Sequence, residues 1–272
     1  MQRHGDAESS GKSETGERGI RVCTAADHTG DGDVEFMMRV TYLSHSGFLV
    51  EMDDACFLFD YYKGEIPDID REKQLFVFVS HGHYDHYKKE IFRLAEREKE
   101  TYYILPEEIK IPKEPKVKLS EDRLILTVPG GEYEAAGCKI RTLRSTDEGV
   151  AYLVSYRGKR IYHAGDLNWW HWEEEEEPFN RMMRRNYQRE IDKLDHMEID
   201  AAFVPVDPRL GEQYCWGLDY FMRQTRTKNV FPMHFWGEYE IFDRLDSEAC
   251  TEAYRERMIR IEREGQIFDL ER

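Results

Sequence analysis

A chain of 272 residues can form one large domain or two small ones around a sizeable core. Its 55 Asp and Glu against 39 Lys and Arg give a formal net charge of −16, which repels nucleic-acid phosphates and anionic lipid surfaces and favours a small-molecule substrate over a polyanion. The cysteines (Cys23, Cys56, Cys138, Cys215, Cys250) are odd in number and include no CxxC pair, and there is neither an apolar run of about 18 residues nor a charged-then-apolar leader, so a reduced, cytoplasmic protein without a membrane span is expected.

Residues 1–36 are rich in Gly, Ser, Glu, Asp and Arg and lack apolar periodicity, so they are expected to be a disordered extension rather than to contribute the alternative, an extra edge strand around Ile20–Cys23. From there to residue 272 a single domain is expected, opening at Met37 or Met38. Alternating apolar residues predict strands over Val40–Met52, broken near Ser44–Gly47, then over Cys56–Phe59, Leu75–Val79 and Tyr102–Leu105. Further strands follow over Leu124–Val128, Glu132–Leu143, Ala151–Tyr156, Arg160–His163, Ala201–Val206 and Asn229–Met233. Three stripes at helical spacing interrupt them: Phe179, Met183, Tyr187, Ile191 and Leu194; Leu218, Phe221 and Met222; and Ala249, Ala253, Met258 and Ile261. All three read as core faces, the last capped by Ser247 and ended by Gly265. Strands interspersed with helices, without strict alternation, predict a layered α+β fold with helices outside packed sheets.

The most informative segment is HGHYDH, residues 81–86, directly after the apolar run Leu75–Val79. Asp85 could simply cap a following helix over Tyr87–Arg97, but a cap needs one residue and leaves His81, His83 and His86 unexplained. Imidazole and carboxylate together suit zinc, iron or manganese rather than calcium or magnesium. Two later strands also end in potential ligands, at His163-Ala164-Gly165-Asp166 and at Pro232-Met233-His234. His163 itself fits a core histidine, whereas Asp166 and His234 join the first group if the strand exits share one edge.

With these motifs in this order, the chain resembles the metallo-β-lactamase superfamily, nearest the ascorbate-phosphate lactonase-like branch of metal-dependent hydrolases. The resemblance runs from about Met38 to His234. It implies a four-layer αββα sandwich with two metals, Zn2+ first and Mn2+ or Fe2+ as alternatives, at one edge of the sheets. It makes His81 and His83 ligands of one metal and Asp85, His86 and His234 ligands of the other, with Asp166 between them. The family's further loop histidine is missing before Val150, where Asp147 is the candidate replacement and Glu148 and Thr146 are further oxygen donors.

Two metals about 3.5–4 Å apart can share and acidify a water, which predicts hydrolysis of a small ester, lactone, amide or phosphoester. Asp85 would steer that water or pass a proton to the leaving group. Asp60 is expected to hold a ligand histidine in its ligating tautomer or to shape a strand-end turn. Trp169, Trp236, Arg209 and His45 are candidates for the substrate wall, with Arg209 either clamping an anion or pairing with a nearby acid. A phosphodiesterase or nuclease of the same superfamily fits less well, because no basic, aromatic-interleaved arm is present. A non-catalytic metal sensor is the reading from another class. A homo-oligomer is compatible with all of these.

Overall fold

In the computed structural model, which describes residues 21–23, 38–96, 100–111 and 120–270, the apolar runs form two sheets laid face to face. The first has the strand order β1 (Arg21–Cys23), β14 (Ile267–Leu270), β2 (Met38–Ser44), β3 (Gly47–Glu51), β4 (Ala55–Phe59), β5 (Gln74–Phe78), β6 (Thr101–Pro106), β7 (Leu124–Thr127). The second runs β13 (Arg226–Met233), β12 (Glu198–Pro205), β11 (Lys159–His163), β10 (Val150–Tyr156), β9 (Cys138–Arg144), β8 (Glu132–Ala135).

The side-chain period of two explains the central strands. Phe57 and Phe59 of β4 stack on Phe76 and Phe78 of β5 with ring centroids 5.2 and 4.8 Å apart, and these rings form the core between the sheets. Cys56, Leu58, Leu75 and Val77 face the other way, into a second cluster with Ile91 and Phe92. Burial on both faces is why these strands are continuously apolar, as parallel strands usually are, and β4 to β7 are parallel. Outside the second sheet, α2 (Trp216–Gln224) packs on β12 and β13 and against α1 (Glu177–Ile191). Outside the first sheet, Ile91 and Phe92 belong to a 3-10 segment, Lys89–Glu96. The layers therefore follow the expected αββα order of an α+β sandwich, with 3-10 rather than α geometry where Asp85 was considered as a cap.

Three segments differ from the sequence reading. Within residues 1–36, Arg21–Cys23 forms a strand antiparallel to β14; the rest of that segment lies outside the described residues. The stripe from Ala249 to Ile261 is not a helix. α3 (Ile241–Ser247) ends before it, with Ser247 as its last residue; a short 3-10 turn, Arg255–Arg257, is the helical part of the stripe, and Met258 then bridges to Val230 while Ile259 and Ile261 are buried. Gly265 ends no helix; at φ 71° it turns the chain into β14, which pairs with β2. The edge strand β13 supplies the stripe with a hydrogen bond that a surface helix would not make, from the Ile259 amide to the Val230 carbonyl at 2.8 Å, and spacing alone cannot register that.

The register places every site segment at one edge. Strands β4, β5, β11, β12 and β13 all end there, and Phe48 opposite Phe59 and Tyr152 opposite His163 bring the β2–β3 and β9–β10 turns alongside.

Candidate metal centre

Seven segments converge at that edge and bring the predicted donors into two groups, each with its ligand atoms within 4.8 Å of one another. One group is His81, His83, Asp147 and Asp166. The other is His45, Asp85, His86 and His234. Asp166 faces both: its Oδ1 lies 3.2 Å from His86 Nε2 and 3.4 Å from His234 Nε2, and its Oδ2 lies 3.5 Å from His81 Nε2. His45 was expected on the substrate wall. The structure instead puts its Nε2 3.3 Å from Asp85 Oδ2 and its ring 4.1 Å from that of His234, because the tight β2–β3 turn folds back over the exit of β13. Asp147 comes from the β9–β10 turn, 3.8 Å from His83 Nδ1. In the same turn Thr146 is occupied by the carbonyl of Asn168, and Glu148 stands further out, 60% exposed, against His83 Nε2.

Four buried polar atoms in this cluster make no hydrogen bond: Nε2 of His45, His81 and His86, and Oδ1 of Asp166. Orphaned buried polar atoms are rare and costly. Four that face one another, with mixed nitrogen and oxygen chemistry, fit transition-metal cations. Burial pushes His45 and His81 down to about 4, which leaves both imidazoles neutral and able to donate a lone pair at neutral pH. Burial opposes charge on His86 too, but the carboxylates of Asp166 and Asp60 hold it well above its ordinary value. Burial would raise Asp166, yet His86, His234 and His81 hold it well below the usual carboxylate range. Asp85 is held at about 2, its burial outweighed by the close approach of His45 and by His86. Asp147 moves the other way, raised by burial and by the charges of Asp166 and Glu148.

Behind the donors, a polar layer fixes the tautomers. His86 Nδ1 lies 2.7 Å from Asp60 Oδ2, which aims Nε2 inward. Asp60 also accepts from the Ser80 amide and hydroxyl, each at 2.6 Å, and the Ser80 oxygen lies 2.9 Å from His81 Nδ1. On the other side Asp207, at the exit of β12, sits 3.0 Å from His234 Nδ1. Asp207 is not among the residues expected from sequence; its signal there is the short stretch Pro205–Arg209 after a strand, in which Arg209 is the more conspicuous charge. His163 is a satisfied core histidine, stacked on Phe59 at 5.0 Å and hydrogen-bonded to the Ser46 carbonyl and the Gly165 amide.

The backbone is strained where it carries the site. His45, Asp60, His234 and Trp236 all have positive φ, between 42° and 63°, a region costly for residues with a side chain. Gly149 and Gly165 allow the second sheet's loops to approach Ser80: a Cβ on Gly149 would lie 2.0 Å from the Ser80 carbonyl oxygen.

A cleft of about 450 Å³ opens over the donors, lined by Tyr84, Asp85, Trp170, Trp172, Phe179, Met183, Arg209 and Trp236 among others. Trp236 is where it was expected. Trp169 is not: it packs against Trp216 and Tyr220 under the Arg184 guanidinium, while its neighbours Trp170 and Trp172 take the wall. The Trp170 indole reaches back to donate to the Asp166 carbonyl, and this turns the Trp169 ring the other way. Arg209 lines the cleft but pairs with Asp207, its Nε 2.9 and 3.0 Å from the two carboxylate oxygens. Of the three stripes read as core, the first divides: Tyr187 and Ile191 are buried, but Phe179 and Met183 are half-buried in the cleft.

Comparison with known proteins agrees with this geometry. A UPF0173 metal-dependent hydrolase of Korarchaeum cryptofilum is 31% identical over 139 residues, 48% of this chain and 60% of that protein, so the chain matches less than two thirds of that relative's length. A UPF0173 metal-dependent hydrolase of Desulforamulus reducens is 25% identical over 222 residues, 73% of this chain and 84% of its own. The fold of Igni18, described as a novel metallo hydrolase from Ignicoccus hospitalis, superposes with a TM-score of 0.57 at 17% identity, covering 85% of this chain and 97% of that one. Residues 39–182 match the family described as Beta-lactamase superfamily domain. The sandwich, the edge cluster and this match together show that the chain belongs to the metallo-β-lactamase superfamily.

Proposed function

We propose that the chain is a metal-dependent hydrolase that acts on a small ester, lactone, amide or phosphoester, with Zn2+ as its metal and Mn2+ or Fe2+ as the alternatives. The observation that carries this reading is the set of four buried, unpartnered donor atoms directed at one another beneath an open cleft. His81, His83, Asp147 and Asp166 would hold one cation and His45, Asp85, His86 and His234 the other, with Asp166 presenting an oxygen to each. Cations bound there supply Lewis-acid polarisation of the substrate and a water acidified toward neutrality.

The chain's own part is positional. Asp60, Ser80 and Asp207 hold the rings in one tautomer, so no reorganisation is needed when charge develops. Asp85 touches the donor cluster through His45 and also lines the cleft, and it would orient the attacking water and carry its proton to the leaving group. The relatives named metal-dependent hydrolases support the same reaction class. The test is metal counting followed by chelation and a panel of esters, lactones, amides and phosphoesters. About two transition ions per chain, with hydrolysis lost on chelation and restored by Zn2+, Mn2+ or Fe2+, is the expected result. Undiminished hydrolysis by metal-free protein would rule the proposal out.

A further inference from the structure

The donor cluster forms only the floor of the cleft, and the walls have a chemistry of their own. The apolar stripe of α1 runs through Phe179, Met183, Tyr187 and Ile191, and its second half is sealed in the core. Its first half is half-buried at the rim of the core, against which Met183 and Trp172 pack, and forms part of the cleft together with Trp170. Trp170 and Trp172 are parallel, with centroids 6.0 Å apart, and Trp170 is tied to the Asp166 carbonyl, so this apolar wall is rigidly set beside the cluster.

The charges on the walls point the same way. Among the described residues lining the cleft, Arg209 is the one Lys or Arg. Its Nε and Nη2 are given to the fully buried Asp207, and its plane lies over Trp236 at 4.7 Å and Trp172 at 5.7 Å. Its charge is balanced by Asp207 between two indoles. Asp85 and Asp147 add negative charge beside it, so the walls carry more carboxylates than cations and disfavour a carboxylate on the body of a substrate.

Resting on the hydrolase reading, we infer that the substrate carries an uncharged, bulky apolar body, of benzyl or medium-chain size, held by Phe179, Met183 and Trp172 beside a scissile group placed at the donor cluster. A cleft of about 450 Å³ suits such a molecule.

The test uses metal-loaded protein and three esters of one alcohol: acetyl, phenylacetyl and 4-carboxyphenylacetyl. The phenylacetyl ester should exceed the acetyl ester in kcat/KM by roughly ten-fold or more, and the carboxylated ester should fall back. In F179A/M183A that ratio should collapse toward one with metal content retained, whereas F179L should keep it. Equal values for the first two esters, preference for the carboxylated one, or a ratio unmoved by F179A/M183A would overturn the inference. If no ester is hydrolysed, the non-hydrolysable ketone 4-phenyl-2-butanone is titrated against tryptophan fluorescence. Saturable quenching that weakens several-fold in F179A/M183A supports the apolar cleft independently of turnover. Absence of saturable quenching overturns the inference and leaves the hydrolase reading to its own panel.

Discussion

Asp207 shows how much one residue outside the donor set controls. It faces the His234 ring, accepts from the Trp236 indole at 3.3 Å and carries the Arg209 guanidinium, so it fixes a donor of the cluster and two wall residues together. Its carboxyl, which burial would raise, is held far below the usual range by His234 and Arg209 and is ionised throughout the neutral range. D207N keeps the shape but loses the carboxylate that faces His234 Nδ1 and orients the ring, so metal affinity should drop about 10- to 100-fold. Competition against a graded series of chelators measures this, and an unchanged affinity would exclude the role. Asp207 and His45 were hard to read from sequence for the same reason. Each is a single polar residue at the end of an apolar run, and its partner, His234, lies 27 or 189 positions away. By contrast His81, His83, Asp85 and His86 announce themselves because the donors are packed into six positions.

At the scale of elements, the site depends on loops from opposite sheets touching. The β9–β10 turn reaches the exit of β5 through the Val150 amide, which donates to the Ser80 carbonyl at 3.0 Å, and Gly149 alone makes room for that contact. Its φ of 67° adds a backbone reason to the steric one. G149A should therefore cost about 2–4 kcal/mol and displace Asp147 from the cluster. Chemical denaturation reads the first effect and metal stoichiometry the second; a variant as stable as the parent would contradict the packing described. Periodicity was a good guide to elements whose partners are conventional, such as β4, β5 and α2. It failed for Ala249–Ile261 because apolar residues at spacings near four also suit a turn-rich stretch packed on β13. It also could not show that α1 carries half of its stripe to the rim of the core, since the same residues would face inward on a helix displaced by two turns.

Across the whole molecule, the end of the second sheet away from the metal cluster is tied by Asp200. Its carboxylate lies 3.2 Å from Lys159 Nζ and 2.9 Å from Lys228 Nζ and accepts from the Arg160 amide, so it links β11, β12 and β13. Burial would raise this carboxyl, but the Arg160 amide and the two ammonium groups outweigh it and hold it below its ordinary 3.8. A folded value below the unfolded one means that the contribution is complete above about pH 4 and disappears as pH falls through the folded value. D200N should accordingly cost about 1 kcal/mol at pH 7, after allowance for solvent screening, and the gap to the parent should close in acid. Denaturation curves at pH 7 and below pH 3 check the sign; a gap that widens in acid would show that another group is responsible. Among the described residues no helix is long and apolar enough to cross a membrane.

Sequence by itself determined the superfamily, the run of strands and the donor-bearing exits, because a strand followed by clustered imidazoles and carboxylates is a local pattern with little alternative chemistry. Tertiary structure decided which His and Asp face one another, which indoles line the cleft and that Arg209 pairs with Asp207. Those outcomes depend on register between two sheets and on left-handed residues such as His45 and His234, where contacts and backbone strain between distant segments settle the geometry.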